Sequence, residues 1–198
     1  MRLIADVGIV GYPNSGKSTL LSAVSAARPK IADYPFTTLE PILGLVTIGT
    51  EGFVLAEIPG LIEGAHLGKG LGHDFLRHAM RTRVLIHMID GTRASPVSDM
   101  MALNEELALF SAELAAKPQI VVVNKVDLPE VKGRLPEIKA TFEEKGTDVI
   151  FISAATGEGV RDLMVETLNV LRLTKRDEES VTESELKIFR PKPRGQNR

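Results

Sequence analysis

The stretch Gly11-Tyr-Pro-Asn-Ser-Gly-Lys-Ser-Thr19 fits the pattern G-x-x-x-x-G-K-[ST], which is typical of a phosphate-binding loop. Gly11 and Gly16 allow a tight turn in which successive backbone N–H groups point at one anion. Lys17 brings a positive charge to the β- and γ-phosphates, and the Ser18 hydroxyl is a ligand for Mg²⁺. An apolar strand precedes the loop and a helix follows it, so the sequence predicts a nucleotide phosphate at a helix N-terminus.

The composition excludes several classes of protein. Of the 198 residues, 43% are hydrophobic and 25% are charged, and the net charge of −2 provides no positive field that would gather nucleic acid. The absence of Cys removes disulfides and thiolate zinc sites and favours a reducing compartment. No apolar run approaches the ~20 residues of a membrane span. We therefore expect a cytoplasmic, monomeric protein with no membrane contact.

Apolar runs alternate with helical patterns along the rest of the chain. Six strands are expected, at 5–10, 45–48, 53–58, 84–89, 119–123 and 149–152. The short turn after residue 48 indicates an antiparallel hairpin, whereas the prolines of 28–41 argue against regular structure there. The pattern predicts an α/β fold: a mostly parallel six-stranded sheet with one antiparallel strand and helices on both faces.

Two helical features are also predicted. Ser95 is expected to cap the longest helix, whose core stripe would be Leu103, Leu107, Phe110 and Leu114. The apolar pattern stops near residue 174, so we expect one domain over 1–173 and a polar, partly disordered tail over 174–198.

The stretch Asn124-Lys-Val-Asp127 indicates which nucleotide base is bound. It directly follows an apolar strand, at the sheet edge where such folds bind ligands. A carboxylate there accepts hydrogen bonds from both the ring N–H and the amino group of guanine, and adenine lacks that paired donor edge. We assign this role to Asp127, with the Lys125 stem flanking the base and Asn124 bracing the loop. Ser153-Ala-Ala155 follows the last strand, and the Ala154 N–H is expected to donate to guanine O6.

Two intervening loops are candidate switches that sense the γ-phosphate. A hydroxyl near Thr37 and Thr38 would complete the Mg²⁺ shell. Glu57 ends an apolar strand and would hold Mg²⁺ through water, and the Gly60 N–H would bond the γ-phosphate.

These elements, in this order, resemble translation-factor-type GTPases, and longer runs are similar to the Obg family of GTPases. The runs are Asp33-Tyr-Pro-Phe-Thr-Thr-Leu-Glu-Pro41, Ile58-Pro-Gly-Leu-Ile-Glu-Gly-Ala65, Gly70-Leu-Gly-His-Asp-Phe-Leu-Arg-His78 and Arg81-Thr-Arg-Val-Leu-Ile-His-Met-Ile-Asp90. The resemblance covers about residues 3–172. It implies a P-loop NTPase fold of the Ras-like G-domain type. It also implies a GTP-hydrolysing switch in assembly of the large ribosomal subunit and in stress signalling.

The resemblance also implies a set of nucleotide contacts and metal ligands. The contacts would come from Gly11, Tyr12, Pro13, Asn14, Ser15, Gly16, Lys17, Ser18, Thr19, Phe36, Thr37, Thr38, Leu39, Glu40, Glu57, Ile58, Pro59, Gly60, Asn124, Lys125, Val126, Asp127, Ser153, Ala154 and Ala155. Ser18 and Thr38 would ligate Mg²⁺ directly and Glu57 through water. Lys17, Thr38, Gly60 and Asn14 would take part in the hydrolysis of GTP.

The chain departs from the family pattern in two respects. Glu57 stands where the family has Asp, and the extra methylene moves the carboxylate by roughly 1.5 Å. We expect a weakened or rearranged water-mediated contact with Mg²⁺. Family members usually carry an N-terminal glycine-rich domain and many carry a small C-terminal domain. We therefore expect a G domain excised from a longer protein, and contact with the large ribosomal subunit is expected of that full-length protein.

The residue that follows Gly60 bears on the rate of GTP hydrolysis. Leu61 occupies the position of the water-orienting Gln of Ras-type enzymes, so we expect slow turnover, on the order of 10⁻⁴ to 10⁻² s⁻¹. Similar GTPases with Asn at the position of Asn14 use K⁺ in place of an arginine finger; the alternative is that Asn14 only braces its loop. Glu63 is a second candidate for positioning the water.

Two other functions stay open on the sequence. One is a guanine-nucleotide-binding interaction module with negligible hydrolysis, and the other is an ATPase of related fold, against which Asp127 argues. Among the histidines, His66 and His73 fall in the second switch, His78 is expected on a helix surface, and His87 is expected to be a satisfied core histidine.

Overall fold

Seven strands form one sheet in the part of the chain that the computed structural model describes, residues 4–31, 41–58 and 79–188. The strands are β1 (Val7–Val10), β2 (Lys30–Ile31), β3 (Ile42–Ile48), β4 (Glu51–Glu57), β5 (Val84–Asp90), β6 (Gln119–Asn124) and β7 (Val149–Phe151). The helices are α1 (Lys17–Val24), α2 (Pro96–Phe110), α3 (Ala112–Ala115), α4 (Pro129–Lys132), α5 (Leu135–Glu144) and α6 (Val160–Ile188). The strand order is β2-β3-β4-β1-β5-β6-β7, and β3 alone runs antiparallel to its neighbours.

The fold class predicted from the sequence is confirmed, but the count of six strands is wrong. The seventh strand is β2, a two-residue strand that pairs with the start of β3 inside the loop where prolines were expected to exclude regular structure. Pro29 lies just before β2, and β2 is an edge strand. Proline is tolerated there because no ladder hydrogen bond is lost.

The core lies on both faces of the sheet because side chains alternate along each strand. In β5, Ile86 and Met88 pack in the cluster that includes α1 and α6, whereas Leu85 packs against α2 on the opposite face. Val122 of β6 is fully buried, and burial of each such side chain contributes roughly 1.5–3 kcal/mol to folding. The two packed faces hold the strands rigidly and thereby fix the loops at their carboxyl ends.

The helix that Ser95 caps is shorter than predicted. Ser95 Oγ accepts a hydrogen bond from the Ser98 N–H, and Pro96 takes the first turn, as expected. The backbone becomes extended at Ser111, whose Oγ caps the separate helix α3, so Leu114 belongs to α3 and not to the stripe of α2. Leu103, Leu107 and Leu114 are buried together, whereas the side chain of Phe110 lies outside the described part.

The longest of the described helices is α6, with 29 residues. It continues to Ile188, past residue 174 where the apolar pattern ends. The reason is that Lys, Arg and Glu have a high intrinsic helix propensity, which does not depend on an apolar pattern. The division into a domain over 1–173 and a tail over 174–198 stays a prediction. No helix in the described part has the length and apolar character needed to cross a membrane.

The topology places a crevice at one end of the sheet. β1 is central and has β4 on one side and β5 on the other, both parallel to it. The loops that follow β1, β4, β5, β6 and β7 therefore emerge at the same edge. Ligands of open α/β sheets bind outside the carboxyl ends of the strands, where the strand order reverses.

Candidate nucleotide-binding site

A cavity of about 600 Å³ lies at this edge of the sheet. This volume is within the usual range of small-molecule sites. It suits a ligand larger than a metal ion or a single phosphate. The predicted phosphate loop lines one part of it, and the predicted base-selecting stretch lines another. The lining residues are Pro13, Asn14, Gly16, Lys17, Ser18, Thr19, Glu57, Asn124, Lys125, Asp127, Leu128 and Ala155.

The loop between β1 and α1 has the backbone of a phosphate cradle. Gly11 and Gly16 have φ of +152° and +101°, and a Cβ at either position would lie 2.2 Å from a neighbouring atom. Asn14 also has a positive φ, 63°, which Asn tolerates better than most residues. Gly16 is the N-cap of α1 and gives it no side-chain cap, so the helix N-terminus is left for an anion.

Lys17 reaches back over this loop. Its Nζ donates to the carbonyl oxygens of Gly11 and Tyr12, each at 3.0 Å, and the residue is only 8% exposed. Burial lowers the pKa of Lys17, and the negative charge of Glu57 opposes that effect. The ammonium group is therefore held over the loop, close to where the motif places a phosphate.

Oxygen donors from α1 and β4 meet beside Lys17. The Ser18 hydroxyl donates to Glu57 Oε1 at 2.9 Å. Glu57 Oε2 and Ser15 Oγ are buried and have no hydrogen-bond partner among the described residues. Hydroxyl and carboxylate oxygens with spare acceptor capacity fit a hard cation such as Mg²⁺. The described residues contain no group of three or more His, Cys, Asp or Glu side chains that could hold a metal by themselves.

Asn124 joins the phosphate loop to the loop after β7. Its Nδ2 donates to the Ser15 carbonyl at 2.8 Å, and its Oδ1 accepts from the Ala154 N–H at 2.9 Å. The residue is 3% exposed, so both bonds are shielded from water. A further link, from the Val126 N–H to the Ile152 carbonyl at 3.1 Å, ties the loop after β6 to the end of β7.

Lys125 adopts a left-handed backbone conformation, with φ of 71°. Its Nζ lies 2.6 Å from Asp90 Oδ2, and its side chain is 29% exposed. Burial disfavours the charged form of Asp90, but hydrogen bonds from Lys125 and Thr92 outweigh that effect and lower the pKa of the carboxyl. The lysine is thus anchored at its ammonium group, and both Lys125 and Asp127 line the cavity.

The sequence match identifies the family. Residues 6–125 match the sequence model of the 50S ribosome-binding GTPase family. The chain belongs to that family. The match covers the phosphate loop and runs to Lys125, so it spans most of the site described above.

Individual relatives agree with this family membership. The GTPase Obg of Dehalococcoides mccartyi is 53% identical over 197 residues, which are 98% of this chain and 46% of that protein. The resemblance to the Obg family is thereby confirmed, and the chain spans less than half the length of this relative.

The solved structures confirm the fold of this family member. Era in complex with MgGDPNP and nucleotides 1506–1542 of 16S ribosomal RNA superposes with a TM-score of 0.61 at 28% identity. That match covers 86% of this chain and 57% of Era. The G domain of the FeoB iron transporter of T. maritima gives 0.63 at 24% identity, covering 83% of this chain and 96% of that one, and shows the fold alone.

The fold brings most of the predicted base-site residues into one place, with one correction. The Ala154 N–H, which we expected to be available for guanine O6, instead donates to Asn124 Oδ1, because the buried amide needs an N–H partner there. Ala155 is the member of the Ser153-Ala-Ala155 stretch that lines the cavity. Ser153 is fully buried, and its Oγ accepts from the Thr156 N–H, so it shapes the loop.

Other predicted contacts are buried or lie outside the described residues. Ile58 is fully buried in the core under α2 and does not line the cavity. Val126 is buried as well, and its N–H links the two base-site loops. The predictions that lie outside the described residues concern Phe36, Thr37, Thr38, Leu39, Glu40, Pro59, Gly60, Leu61, Glu63, His66, His73 and His78.

His87 is a core histidine, as predicted, but it is not fully satisfied. It is 1% exposed in the middle of β5, and its Nδ1 has no hydrogen-bond partner among the described residues. Burial lowers the pKa of His87 to about 4, so the ring is neutral at physiological pH.

Sequence reasoning missed Asp90 and Leu128. Leu128 lines the cavity next to Asp127, and Asp90 holds Lys125. A signal for Asp90 was available, because it ends the buried strand β5 just as Asn124 ends β6. Polar residues at the carboxyl ends of adjacent parallel strands share one edge of the sheet.

Proposed function

We propose that this chain binds GTP and GDP with Mg²⁺ and hydrolyses GTP to GDP and phosphate as a slow molecular switch. The observation that carries the proposal is the Asn124 bridge between the phosphate loop and the loop after β7. It sets Lys17 and Ser18 at one end of a cavity whose other end holds Lys125 and Asp127. Such a cavity matches a purine nucleotide with its phosphates.

Asp127 would select guanine over adenine. Its carboxylate would accept hydrogen bonds from the ring N–H and the exocyclic amino group at once, and such paired, charge-assisted hydrogen bonds are strong in a shielded site. Adenine presents no such donor pair, which leaves the carboxylate unpaired and costs binding energy. The expected consequence is that ADP competes poorly with GDP.

The phosphates would bind at the N-terminus of α1. Backbone N–H groups of the loop and the first turn point at the anion, and the Lys17 ammonium adds a full charge beside it. When a phosphate enters, Lys17 exchanges part of its bonding to the Gly11 and Tyr12 carbonyls for the phosphate oxygens. These carbonyls thus hold the ammonium in place before the ligand arrives.

Mg²⁺ would be held by Ser18 directly and by Glu57 through water. Bound there, the ion would neutralise charge on the β- and γ-phosphates. The Ser18 oxygen has lone pairs available for a cation while its O–H donates to Glu57 Oε1. Glu57 thereby orients the Ser18 hydroxyl so that the oxygen faces a cation.

A monovalent cation is proposed to act beside Asn14. This residue lines the cavity, and its oxygen is a suitable ligand for K⁺. A K⁺ ion there would place positive charge near the phosphates, where other GTPases supply an arginine. In the reaction, water attacks the γ-phosphorus, the bond from that phosphorus to the β–γ bridging oxygen breaks, and GDP and phosphate leave.

The test is single-turnover hydrolysis of GTP in KCl and in NaCl, at equal ionic strength and saturating Mg²⁺. We expect a rate of about 10⁻⁴ to 10⁻² s⁻¹ that is higher in KCl. Asn14→Ala should abolish the difference between the salts. Asn169→Ala, the same change on the exposed surface of α6, should keep it. Equal rates in both salts would refute the K⁺ site.

The same assay separates a second candidate function. A guanine-nucleotide-binding module with negligible hydrolysis is favoured by Glu57 in place of Asp and by Leu61 in place of Gln. It would bind GTP and release no phosphate in either salt. Contact with the large ribosomal subunit is proposed for a longer protein of this family, and the cytoplasmic location expected from the sequence stays a prediction.

A further inference from the structure

The carboxylate of Asp90 is fixed by three hydrogen bonds. Its Oδ1 accepts from the Thr92 N–H at 2.9 Å and from the Thr92 hydroxyl at 2.7 Å. Its Oδ2 accepts from Lys125 Nζ at 2.6 Å. With 13% of its side chain exposed, Asp90 has one orientation, and that orientation faces the lysine of the base-selecting loop.

The turn that carries Asp90 is itself attached to that loop. The Gly91 N–H donates to the Asn124 carbonyl at 3.0 Å, and a Cβ at Gly91 would lie 2.7 Å from the same oxygen. From the other side, the guanidinium of Arg134 donates to the carbonyls of Arg93 and Ala94, at 3.1 and 2.9 Å. The turn therefore behaves as a fixed support against which Lys125 is held.

The support from Asp90 matters because Lys125 lines the cavity and its side chain must be ordered when a ligand binds. A lysine side chain has high rotamer entropy, and ordering it on binding weakens the affinity for a ligand. The Lys125 backbone is also in the left-handed region, which few non-glycine residues occupy. Since the ammonium is already anchored on Asp90 and Lys125 lines the cavity, the stem is restrained at the wall before any ligand binds.

We infer that Asp90 is a positioning residue for nucleotide binding, acting through Lys125 to keep the lysine stem ready to stack on one face of the purine. The inference rests on the proposed function, because it assumes that the base lies between Lys125 and the opposite wall. Asp90 makes no contact with the ligand. Its effect is to remove an ordering cost from the binding step.

The experiment measures the dissociation constant of GDP for the wild type, Asp90→Asn, Lys125→Met and the double variant. Asn at 90 keeps an acceptor for Thr92 but loses the charge that attracts Lys125. Met at 125 keeps an unbranched apolar stem without the anchor. We expect each single variant to bind GDP about three- to tenfold more weakly. The double variant should be no more than about twofold weaker than either single variant, because both changes release the same stem.

Inosine diphosphate provides a readout that general damage to the fold would not reproduce. It has the purine face of GDP but lacks the 2-amino group that Asp127 recognises. Asp90→Asn should weaken GDP and IDP by the same factor, and Asp127→Asn should change their ratio. Glu143→Gln, which removes an exposed carboxylate paired with Lys139 on α5, should change neither.

The outcomes separate the two proposals. Wild-type protein that does not bind GDP would overturn the proposed function and this inference with it. Wild-type binding that Asp90→Asn leaves unchanged would overturn the inference alone. So would a double variant whose loss equals the product of the two single losses, since that would show two independent effects.

Discussion

Replacing Asn124 with Ala should destabilise the protein even when no nucleotide is present. The side chain makes one hydrogen bond to the Ser15 carbonyl and one to the Ala154 N–H, and the residue is 3% exposed. The substitution leaves that carbonyl and that N–H without a partner. Each unsatisfied buried polar group costs about 1–3 kcal/mol.

The two losses bound the size of the effect. Their sum would be about 2–6 kcal/mol, and water that enters the vacated space recovers part of it. We therefore expect a loss of about 3 kcal/mol in the free energy of unfolding. For a domain of this size each kcal/mol shifts the melting temperature by roughly 2–4 °C, so the expected decrease is about 6–12 °C.

Thermal unfolding followed by circular dichroism, without nucleotide, measures this decrease. Asn169→Ala is the matched control, because it is the same substitution at an exposed site of α6 and should change stability by less than about 0.5 kcal/mol. GDP affinity should also fall, by about tenfold or more, because the two loops lose their common support. A melting temperature of Asn124→Ala within about 2 °C of the wild type would refute the bridging role.

Three further substitutions test other parts of the structure. Gly16→Ala should abolish GDP binding in a fluorescence titration, because Gly16 has φ of +101° and a Cβ would lie 2.2 Å from Asn124 Nδ2. Gly146→Ala, with φ of +64° and nothing within 4 Å of the added Cβ, should cost only about 1 kcal/mol in urea unfolding. An equal loss of GDP affinity in the two variants would contradict the argument. The lowered pKa of His87, about 4, means that the unfolded chain binds the proton more readily, so stability should fall as pH drops from about 6.5 to 4, by up to about 1.4 kcal/mol per pH unit. His87→Gln should flatten the dependence of the unfolding free energy on pH, measured by urea titrations at several pH values. The same dependence in the variant and the wild type would show that His87 is not its cause. Glu57→Asp shortens the side chain by one methylene, which leaves room for a water between the carboxylate and a cation at Ser18. It should strengthen the dependence of GDP binding on Mg²⁺ by about three- to tenfold in isothermal titration, and an unchanged dependence would count against a role for Glu57 at the metal.

Local motifs predicted which two loops line the cavity, because each motif is tied to a strand end. The loop around Lys17 follows β1, and the stretch that begins at Asn124 ends β6. Strands that are parallel place such ends at one edge, so two motifs far apart in sequence were expected to meet, and one cavity includes both. The bracing role of Asn124 followed from the same reasoning, and the hydrogen bonds to Ser15 and Ala154 agree with it.

Features that depend on register or on single contacts were not predictable in this way. β2 has two residues, too few for any periodic pattern to indicate a strand. The break between α2 and α3 depends on one hydroxyl, that of Ser111, inside an otherwise continuous apolar stripe. The pairing of Asp90 with Lys125 links residues whose proximity follows only once the register of β5 and β6 is fixed, with Asp90 opposite Asn124.

The two ends of the cavity differ in how their polar groups are satisfied. At the base end, Asn124, Lys125 and Asp90 bond to the protein itself, so the walls are built before a ligand arrives. At the phosphate end, Glu57 Oε2 and Ser15 Oγ are buried without a partner among the described residues, and α1 begins without a side-chain cap. Buried unpaired polar atoms cost stability, and a phosphate and a cation bound at this end would supply partners for these two. Under the proposed function, the base end would therefore contribute selectivity through a fixed shape. The phosphate end would supply the groups that respond to phosphate and cation, as a nucleotide-dependent switch requires.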